Sequence, residues 1–288
     1  MDPTSVQPAK APSGLLARRY RIIRQVARGG MGVIFLVQDE QRGGDTWALK
    51  ELMLDRVRRE ELAETIESFR RESQLLQSLN HPNLVKVIDS FGENGKEYLV
   101  MEYVEGKTLD ALACGQPMAE RDVLNFAFQL CDVLEYLHSQ QPPIIYRDLK
   151  PPNAMVETQS GILKLIDFGI VRFYKPGQRK DTNVLGTPGF APPEQYGKGQ
   201  TDARSDIFCL GVTMHVLLTN FDVGLNPWNY PPVRTLNSSV SPTLEQVIAR
   251  ATELEVNKRY ASISEMRKAL LRCKGAKRIA ANLPTVRG

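Results

Sequence analysis

The spacing of apolar residues changes near Gly106, and this change limits what the chain can fold into. Before Gly106, runs rich in β-branched and aromatic residues alternate with turns, a pattern that predicts strands. After it, apolar residues recur every three or four positions, as they do in helices; examples are Leu124, Ala127, Phe128, Leu130, Val133, Leu134 and Leu137. The sequence therefore predicts an α+β fold, in which a small β-rich lobe is followed by a larger and mostly helical lobe.

The β-rich lobe is predicted to contain a three-strand meander, a helical region and two further strands. The strands are expected at 20–27, 32–38, 46–52, 85–91 and 97–103. Residues 55–79 carry many charged side chains, with apolar residues at helical spacing. We expect one long amphipathic helix there, or two in series.

The two ends of the chain differ in composition from its centre. Residues 1–18 are rich in Pro, Ser and Ala and are expected to form a flexible leader, with order beginning near Tyr20. Residues 275–288 include Lys277, Arg278 and Arg287 and are expected to form a basic tail or a linker. The domain between them is predicted at 19–274, with a first lobe at about 19–103, a hinge at 102–106 and a second lobe at 107–274.

Charge and hydropathy exclude several classes of protein. The formal charge of +4 is small, and Lys and Arg are scattered among Glu residues, so we expect no nucleic-acid partner. The longest apolar run, at 209–218, is far shorter than the roughly 20 residues of a membrane-spanning helix. We therefore expect a cytoplasmic protein, or the cytosolic part of a longer one, with no membrane segment in this chain.

The residue types needed for phosphoryl transfer are concentrated in two short blocks. The first is Tyr146-Arg147-Asp148-Leu149-Lys150-Pro151-Pro152-Asn153, and the second is Asp167-Phe168-Gly169, nineteen residues after Asp148. Such a reaction needs a carboxylate to accept the hydroxyl proton, and Asp148 can supply it. Asn153 and Asp167 offer oxygen ligands for Mg²⁺, and Lys150 can neutralise charge on the transferring group.

Together with these blocks, two features of the first lobe become candidates for phosphate binding. Gly29-Gly30-Met31-Gly32 lies at a bend between strands, where the backbone N–H groups could approach a polyphosphate, although a plain hairpin turn gives the same pattern. Lys50 on the next strand supplies a cation, and Glu72 on a helix face could hold that cation in place. A strand lysine and a helical glutamate are otherwise ordinary surface residues.

Taken together, these residues resemble the signature set of the protein kinases, and most closely that of the eukaryotic-like Ser/Thr kinases of bacteria. The resemblance covers about residues 20–273 and implies the bilobal protein kinase fold. It implies ATP and Mg²⁺ as cofactors, with Mn²⁺ as an alternative metal, and proteins as substrates. The side chains of Lys50, Asp148, Asn153 and Asp167 would then converge on a magnesium nucleotide in the crevice between the lobes.

The resemblance also implies a role for each matched position. Asp148 would orient and deprotonate the substrate hydroxyl, and Lys150 would neutralise charge on the transferring phosphoryl group. Lys50 would bind the α- and β-phosphates while paired with Glu72. Asn153 and Asp167 would bind the metal. The nucleotide would be contacted by Val26, Ala27, Gly29, Gly30, Met31, Gly32, Ile34, Ala48, Lys50, Met101, Glu102, Val104, Met155 and Asp167, with Met101 as gatekeeper and 100–104 as the segment beside adenine.

Some positions depart from the family pattern. Ala27 stands where a glycine is usual, which is tolerable if its φ stays negative. Tyr146 replaces a histidine whose main role is to pack against the Phe of Asp-Phe-Gly. Glu72 follows Lys50 by 22 residues, a longer spacing than usual, and Glu67 is the next candidate for the same role.

Regulation is expected to involve the segment 170–189. Arg147 precedes Asp148, where an arginine commonly binds a phosphate on this segment. We expect autophosphorylation on Thr182, for which a dimer is one route. Thr187 is expected instead to hydrogen-bond Asp148 and Lys150 as part of the substrate platform.

Two other functions remain compatible with parts of the pattern. A pseudokinase would bind nucleotide without catalysis, but here all four of Lys50, Asp148, Asn153 and Asp167 are present. A small-molecule kinase would share the Asp-x-x-x-x-Asn loop, but would lack Gly186-Thr187-Pro188 and Pro192-Pro193-Glu194. Lys150 together with Gly186-Thr187 resembles the Ser/Thr branch rather than the Tyr branch.

Overall fold

The computed structural model describes residues 14–29, 32–54, 59–167, 172–173, 187–196 and 201–283. The chain divides into two compact units, the first comprising Met1–Asn80 and Val85–Val104, the second comprising His81–Leu84 and Glu105–Gly288. The division after Val104 falls inside the segment expected to be a hinge. The first unit is built on a sheet and the second is mostly helical, so the predicted fold class is confirmed.

In the described part of the first unit, six strands form one antiparallel sheet. They are β1 (Leu15–Leu16), β2 (Tyr20–Gly29), β3 (Gly32–Asp39), β4 (Asp45–Leu52), β5 (Val87–Glu93) and β6 (Lys96–Glu102). Their order is β1-β2-β3-β4-β6-β5, which confirms the predicted meander and the later strand pair. Asn94 and Gly95 both have positive φ between β5 and β6, the conformation that a tight two-residue hairpin requires.

Alternation along the strands gives the sheet two different faces. One face forms a core in which Phe35, Leu49 and Val100 pack with Tyr20. Ile34 and Lys50 are cross-strand neighbours on the opposite face, and Ala48 is paired with Met101 in the same way. Four residues of the expected nucleotide site therefore share one face of the sheet.

The helical region of the first unit is one helix, α1 (Arg59–Ser78). It confirms the single-helix alternative over the residues that are described, and 55–58 lie outside them. The helix packs against β5, and Arg70 forms an ion pair of 2.6 Å with the buried carboxylate of Glu97 on β6.

The second unit is organised around two long helices. Its helices are α2 (Leu109–Ala113), α3 (Glu120–His138), α4 (Ala203–Thr219), α5 (Val233–Leu236), α6 (Pro242–Ala251), α7 (Ile263–Leu270) and α8 (Ala276–Ala281). Its short strands are β7 (Gly106–Thr108), β8 (Ile144–Ile145), β9 (Ala154–Glu157), β10 (Leu163–Leu165) and β11 (Arg172–Phe173). Helix α4 is buried along nearly its whole length, and α3 packs against it.

Regular structure begins earlier and ends later than the sequence predicted. Strand β1 lies within the expected leader, because Leu16 is buried in the core of the sheet. Helix α8 lies within the expected tail, where Ala276 is fully buried and the helix packs on α3. Among the described residues, no helix is both long enough and apolar enough to cross a bilayer.

Candidate active site

The loop that carries Asp148 is held between two elements of the second unit. It leaves β8, passes through a 3₁₀ turn at Pro151–Asn153 and enters β9. Strand β9 pairs with β10 so that Ala154 faces Leu165, and the Ile166 N–H donates to the carbonyl of Asn153 at 3.0 Å. This register brings the chain before Asp167 alongside Asn153.

Asp148 lies at the centre of a network of polar side chains. Its Oδ2 accepts hydrogen bonds from Asn153 Nδ2 at 2.7 Å and contacts Lys150 Nζ at 2.8 Å. Its Oδ1 accepts from the Thr187 hydroxyl at 2.8 Å, and Lys150 Nζ donates to that same hydroxyl oxygen at 2.5 Å. Asp148 and Asn153 are buried, so these contacts satisfy polar groups that water does not fully reach. The expected hydrogen bonds of Thr187 are confirmed.

The backbone before Asp148 is fixed by a carboxylate from helix α4. Asp206 is fully buried and accepts from the N–H groups of Tyr146 at 2.9 Å and Arg147 at 2.7 Å, while His138 Nε2 lies 2.8 Å from it. Arg147 has a φ of 70°, a conformation that non-glycine residues adopt only when their surroundings hold them. Its carbonyl accepts from Gln195 Nε2 at 3.0 Å.

Tyr146 links the two blocks identified in the sequence. Its hydroxyl donates to the carbonyl of Asp167 at 2.6 Å. Burial raises the pKa of Tyr146 well above its ordinary value, so the hydroxyl keeps its proton and remains a donor. Phe168, which the Tyr146 ring was expected to contact, lies outside the described residues. A polar contact with residue 167 was not anticipated.

Downstream of Thr187, a buried ion pair anchors the chain. Glu194 and Arg259 form two hydrogen bonds of 2.6 and 3.0 Å, and the Arg259 side chain is completely buried. Ser205 also donates to Glu194, and Arg259 donates to the carbonyls of Arg204, Glu253 and Leu254. The additional hydrogen bonds of this structural pair offset the cost of burying two charges.

The expected nucleotide residues of the first unit lie around β2, β3 and β4. Ala27 on β2 does not adopt a positive φ, so an alanine in place of glycine is unstrained. A Cβ on Gly32 would lie 2.3 Å from the carbonyl oxygen of Glu51, so this position requires glycine for the packing of β3 on β4. Val26 is exposed on β2, Gly29 ends that strand, and Gly30 and Met31 lie outside the described residues.

The structure distinguishes the two candidate glutamates on α1. Glu72 is partly buried and accepts a hydrogen bond from Ser68 at 3.1 Å. Glu67 is 73% exposed and pairs with Arg71, one helical turn away. The partial burial of Glu72 favours it as the partner of a strand lysine, and the pairing with Lys50 stays a prediction.

The segment expected beside adenine ends the first unit. The Glu102 N–H donates to the carbonyl of Lys86 at 2.8 Å, so any adenine contact by Glu102 would use its carbonyl. Met101 and Val104 are buried. Met155 belongs to the second unit, where it is partly buried on β9.

Of the residues expected to take part in regulation, Thr182 lies outside the described residues and Arg147 is buried.

Asn153 and Asp167, the two residues expected to bind the metal, carry side-chain oxygens of the kind that Mg²⁺ prefers. Within the ranges that the structure describes, no cluster of three or more His, Cys, Asp or Glu side chains could hold a metal ion. Mg²⁺ typically takes one or two protein ligands and completes its shell with phosphates and water. Since Nδ2 of Asn153 donates to Asp148, the oxygen of the same amide is the atom that would face a bound metal.

Sequence reasoning gave no role to some of the residues that shape the site. No role was predicted for Asp206, although a carboxylate within an apolar helical stretch was a signal available in the sequence. Nothing local in the sequence indicated His138 or Gln195.

Comparison with known families and relatives agrees with this geometry. A sequence profile of the family described as "Protein kinase domain" matches residues 20–281. Serine/threonine-protein kinase PrkC of Bacillus subtilis is 33% identical over 87% of this chain and 40% of its own length. Serine/threonine-protein kinase PknB of Mycolicibacterium smegmatis is 34% identical over 89% of this chain and 43% of its own length. The chain thus spans about 40% of the length of these relatives.

A solved structure supports the fold. The kinase domain of PknI from Mycobacterium tuberculosis superposes with a TM-score of 0.72, covering 90% of this chain and 98% of that one. At 23% identity, this likeness concerns the fold alone.

Proposed function

The chain belongs to the protein kinase family, and we propose that it transfers the γ-phosphoryl group of ATP to serine or threonine hydroxyls of proteins. The observation that carries this proposal is the contact of Asp148 with Lys150, Asn153 and Thr187 in one buried network. The names of the relatives, which are serine/threonine-protein kinases, support the choice of acceptor.

In this proposal, Asp148 is the group that receives the hydroxyl proton. Asn153 holds Oδ2 and Thr187 holds Oδ1, so the carboxylate is oriented before the acceptor arrives. Lys150 places a positive charge 2.8 Å from the carboxylate and would stabilise negative charge on the transferring oxygens.

Asn153 and Asp167 would hold the metal, each through a side-chain oxygen. Bound Mg²⁺ supplies charge neutralisation at the phosphates. The Tyr146 hydroxyl fixes the backbone of Asp167, and the Ile166 N–H fixes that of Asn153, so the two ligand positions are braced by separate hydrogen bonds.

The nucleotide would draw its remaining contacts from the first unit. Lys50 would bind the phosphates, with Glu72 as its partner. Ile34 and Ala48 occupy the same sheet face as Lys50 and would pack on the adenine ring, while Glu102 and Val104 would meet its edge. Thr182 is the proposed site of autophosphorylation, which a dimer would permit in trans, and Arg147 is the proposed partner of the phosphate.

The decisive experiment compares the intact protein with Asp148→Asn in an autophosphorylation assay with Mg-ATP. We expect the rate to fall by about 10²–10⁴-fold, because both proton acceptance and nucleophile positioning are lost. ATP binding, measured by calorimetry, should persist in the variant. Asp110→Asn, which alters an exposed carboxylate on α2, should retain the rate. An intact protein that binds ATP without transferring phosphate would contradict the proposal and indicate a pseudokinase.

A further inference from the structure

The segment 187–191, which carries Thr187, is held from one side by the segment 221–230. The Tyr230 hydroxyl donates to the carbonyl of Gly189 at 2.7 Å, and Trp228 Nε1 donates to the carbonyl of Ala191 at 3.0 Å. Within the first segment, the N–H groups of Phe190 and Ala191 both donate to the carbonyl of Thr187 at 3.0 Å. The turn that presents Thr187 is therefore stabilised by its own backbone hydrogen bonds and by two further hydrogen bonds, to the carbonyls of Gly189 and Ala191.

The two segments approach each other closely. Gly189 has a φ of 83°, and a Cβ there would lie 2.3 Å from the carbonyl oxygen of Val223. Trp228 itself has a φ of 66°, which is a true outlier for a bulky side chain. Such a conformation persists only where surrounding contacts hold it, and strain of this kind tends to accumulate at functional sites.

Tyr230 is in turn fixed by helix α4. Its ring lies 6.2 Å from that of Phe208 and 5.9 Å from that of His215, and His215 Nε2 lies 2.8 Å from the carbonyl of Pro231. Burial raises the pKa of Tyr230, which keeps its hydroxyl a donor. The start of the same helix, at Asp206, fixes the backbone that leads to Asp148.

Helix α4 is therefore the common support of both partners in the Asp148–Thr187 contact. One branch runs from Asp206 to the loop of Asp148. The other runs through Tyr230 to Gly189 and on to Thr187. The two side chains that meet at 2.8 Å in the Thr187–Asp148 hydrogen bond are thus both linked back to the same helix.

We propose that Trp228 and Tyr230 are positioning residues, which place Thr187 against Asp148 and Lys150 and thereby align the acceptor hydroxyl for phosphoryl transfer. This inference rests on the proposed function. Both residues act on Thr187 through the backbone carbonyls of Gly189 and Ala191, so their proposed effect is on orientation rather than on proton transfer itself.

The test uses Tyr230→Phe and Trp228→Phe, which remove one hydrogen-bond donor each and keep an aromatic ring. For a peptide substrate, we expect kcat to fall about tenfold with the KM for ATP unchanged, since small displacements of a reacting group are costly. Hydrolysis of ATP without acceptor should stay near the wild-type rate. Tyr260→Phe is the matched control, because that buried tyrosine contacts Arg250 in the same unit, and it should behave as wild type.

The outcomes separate this inference from the proposed function. Equal losses of hydrolysis and peptide phosphorylation, or a lowered melting temperature that accounts for the loss, would assign a merely structural role and overturn the inference. Full activity in both variants would also overturn it. A wild-type protein without phosphotransfer would refute the proposed function and this inference together.

Discussion

Asn153 is joined to Asp148 through a single nitrogen atom, which donates to the carboxylate at 2.7 Å and to the backbone carbonyl at 2.8 Å. One side chain thus sets both the orientation of the proposed base and the shape of the turn that follows it. The oxygen of the same amide is the proposed metal ligand, so a change at Asn153 would affect both the proposed base and the proposed metal site.

The first prediction concerns Asn153→Ala. This change removes the proposed metal ligand and both hydrogen bonds to Asp148, so we expect kcat for peptide phosphorylation to fall by at least about 10²-fold. The Mg²⁺ concentration that gives half-maximal rate should rise. Steady-state assays over a Mg²⁺ titration measure both effects. The exposed Asn282→Ala serves as control, and an unchanged Mg²⁺ requirement would argue against Asn153 as a ligand.

The second prediction concerns Tyr146→Phe. The substitution removes the donor to the Asp167 carbonyl and leaves that acceptor without its 2.6 Å partner. We expect the free energy of unfolding to fall by about 1–3 kcal/mol. Because the backbone of Asp167 loses this hydrogen bond, the Mg²⁺ concentration that gives half-maximal rate should also rise. Urea denaturation and a Mg²⁺ titration are the two measurements. If stability fell while the Mg²⁺ requirement stayed the same, the hydrogen bond from Tyr146 would not influence metal binding by Asp167.

The third prediction concerns the Arg259–Glu194 pair. Arg259→Ala leaves a buried carboxylate with little compensation, and should cost about 3–5 kcal/mol of unfolding free energy. The double variant with Glu194→Ala should lose less than the sum of the single changes, since no charge is then left unpaired. A double-mutant cycle in urea denaturation gives this coupling. Simple additivity would mean that the two side chains act independently.

The fourth prediction concerns the pH dependence of stability through His215. Burial lowers the pKa of His215 below its ordinary 6.5. Above pH 6.5 the side chain is neutral in both folded and unfolded states and imposes no cost. As the pH falls below 6.5, the unfolded state takes up a proton before the folded state does, so stability declines until the folded pKa is passed.

The variant His215→Gln should flatten this decline. Its amide can still donate to the carbonyl of Pro231, which His215 Nε2 contacts at 2.8 Å. We expect a smaller loss of unfolding free energy between pH 7 and pH 5 than in the wild type, measured by urea denaturation at each pH. An identical slope would show that other groups cause the decline.

Much of the fold could be predicted because its signals are local. The strands β2 to β6 and helix α1 follow from alternation and helical spacing along short windows. Strand β1 and helix α8 were missed because each has a single buried residue, Leu16 in β1 and Ala276 in α8, whose burial is decided by partners far along the chain.

In the site, too, features set by local sequence could be predicted, and features set by distant partners could not. Asp148, Lys150, Asn153 and Asp167 were selected from their residue types and spacing, and their roles stay predictions. The contact of Thr187 with Asp148 was anticipated and found. The roles of Asp206 and Tyr230 were not predicted. Asp206 accepts from two distant backbone N–H groups and Tyr230 donates to one distant carbonyl, and such bonds leave no periodic pattern in a sequence.

The dependence of the catalytic loop on Asp206 has a consequence for how the chain folds. The carboxylate that fixes the backbone of Tyr146 and Arg147 is contributed 60 and 59 positions later. During synthesis, a chain that has not yet emerged beyond α4 cannot hold Arg147 in its left-handed conformation. The backbone before Asp148 is therefore fixed only after α4 has been synthesised, and the proposed phosphoryl transfer would depend on that late step.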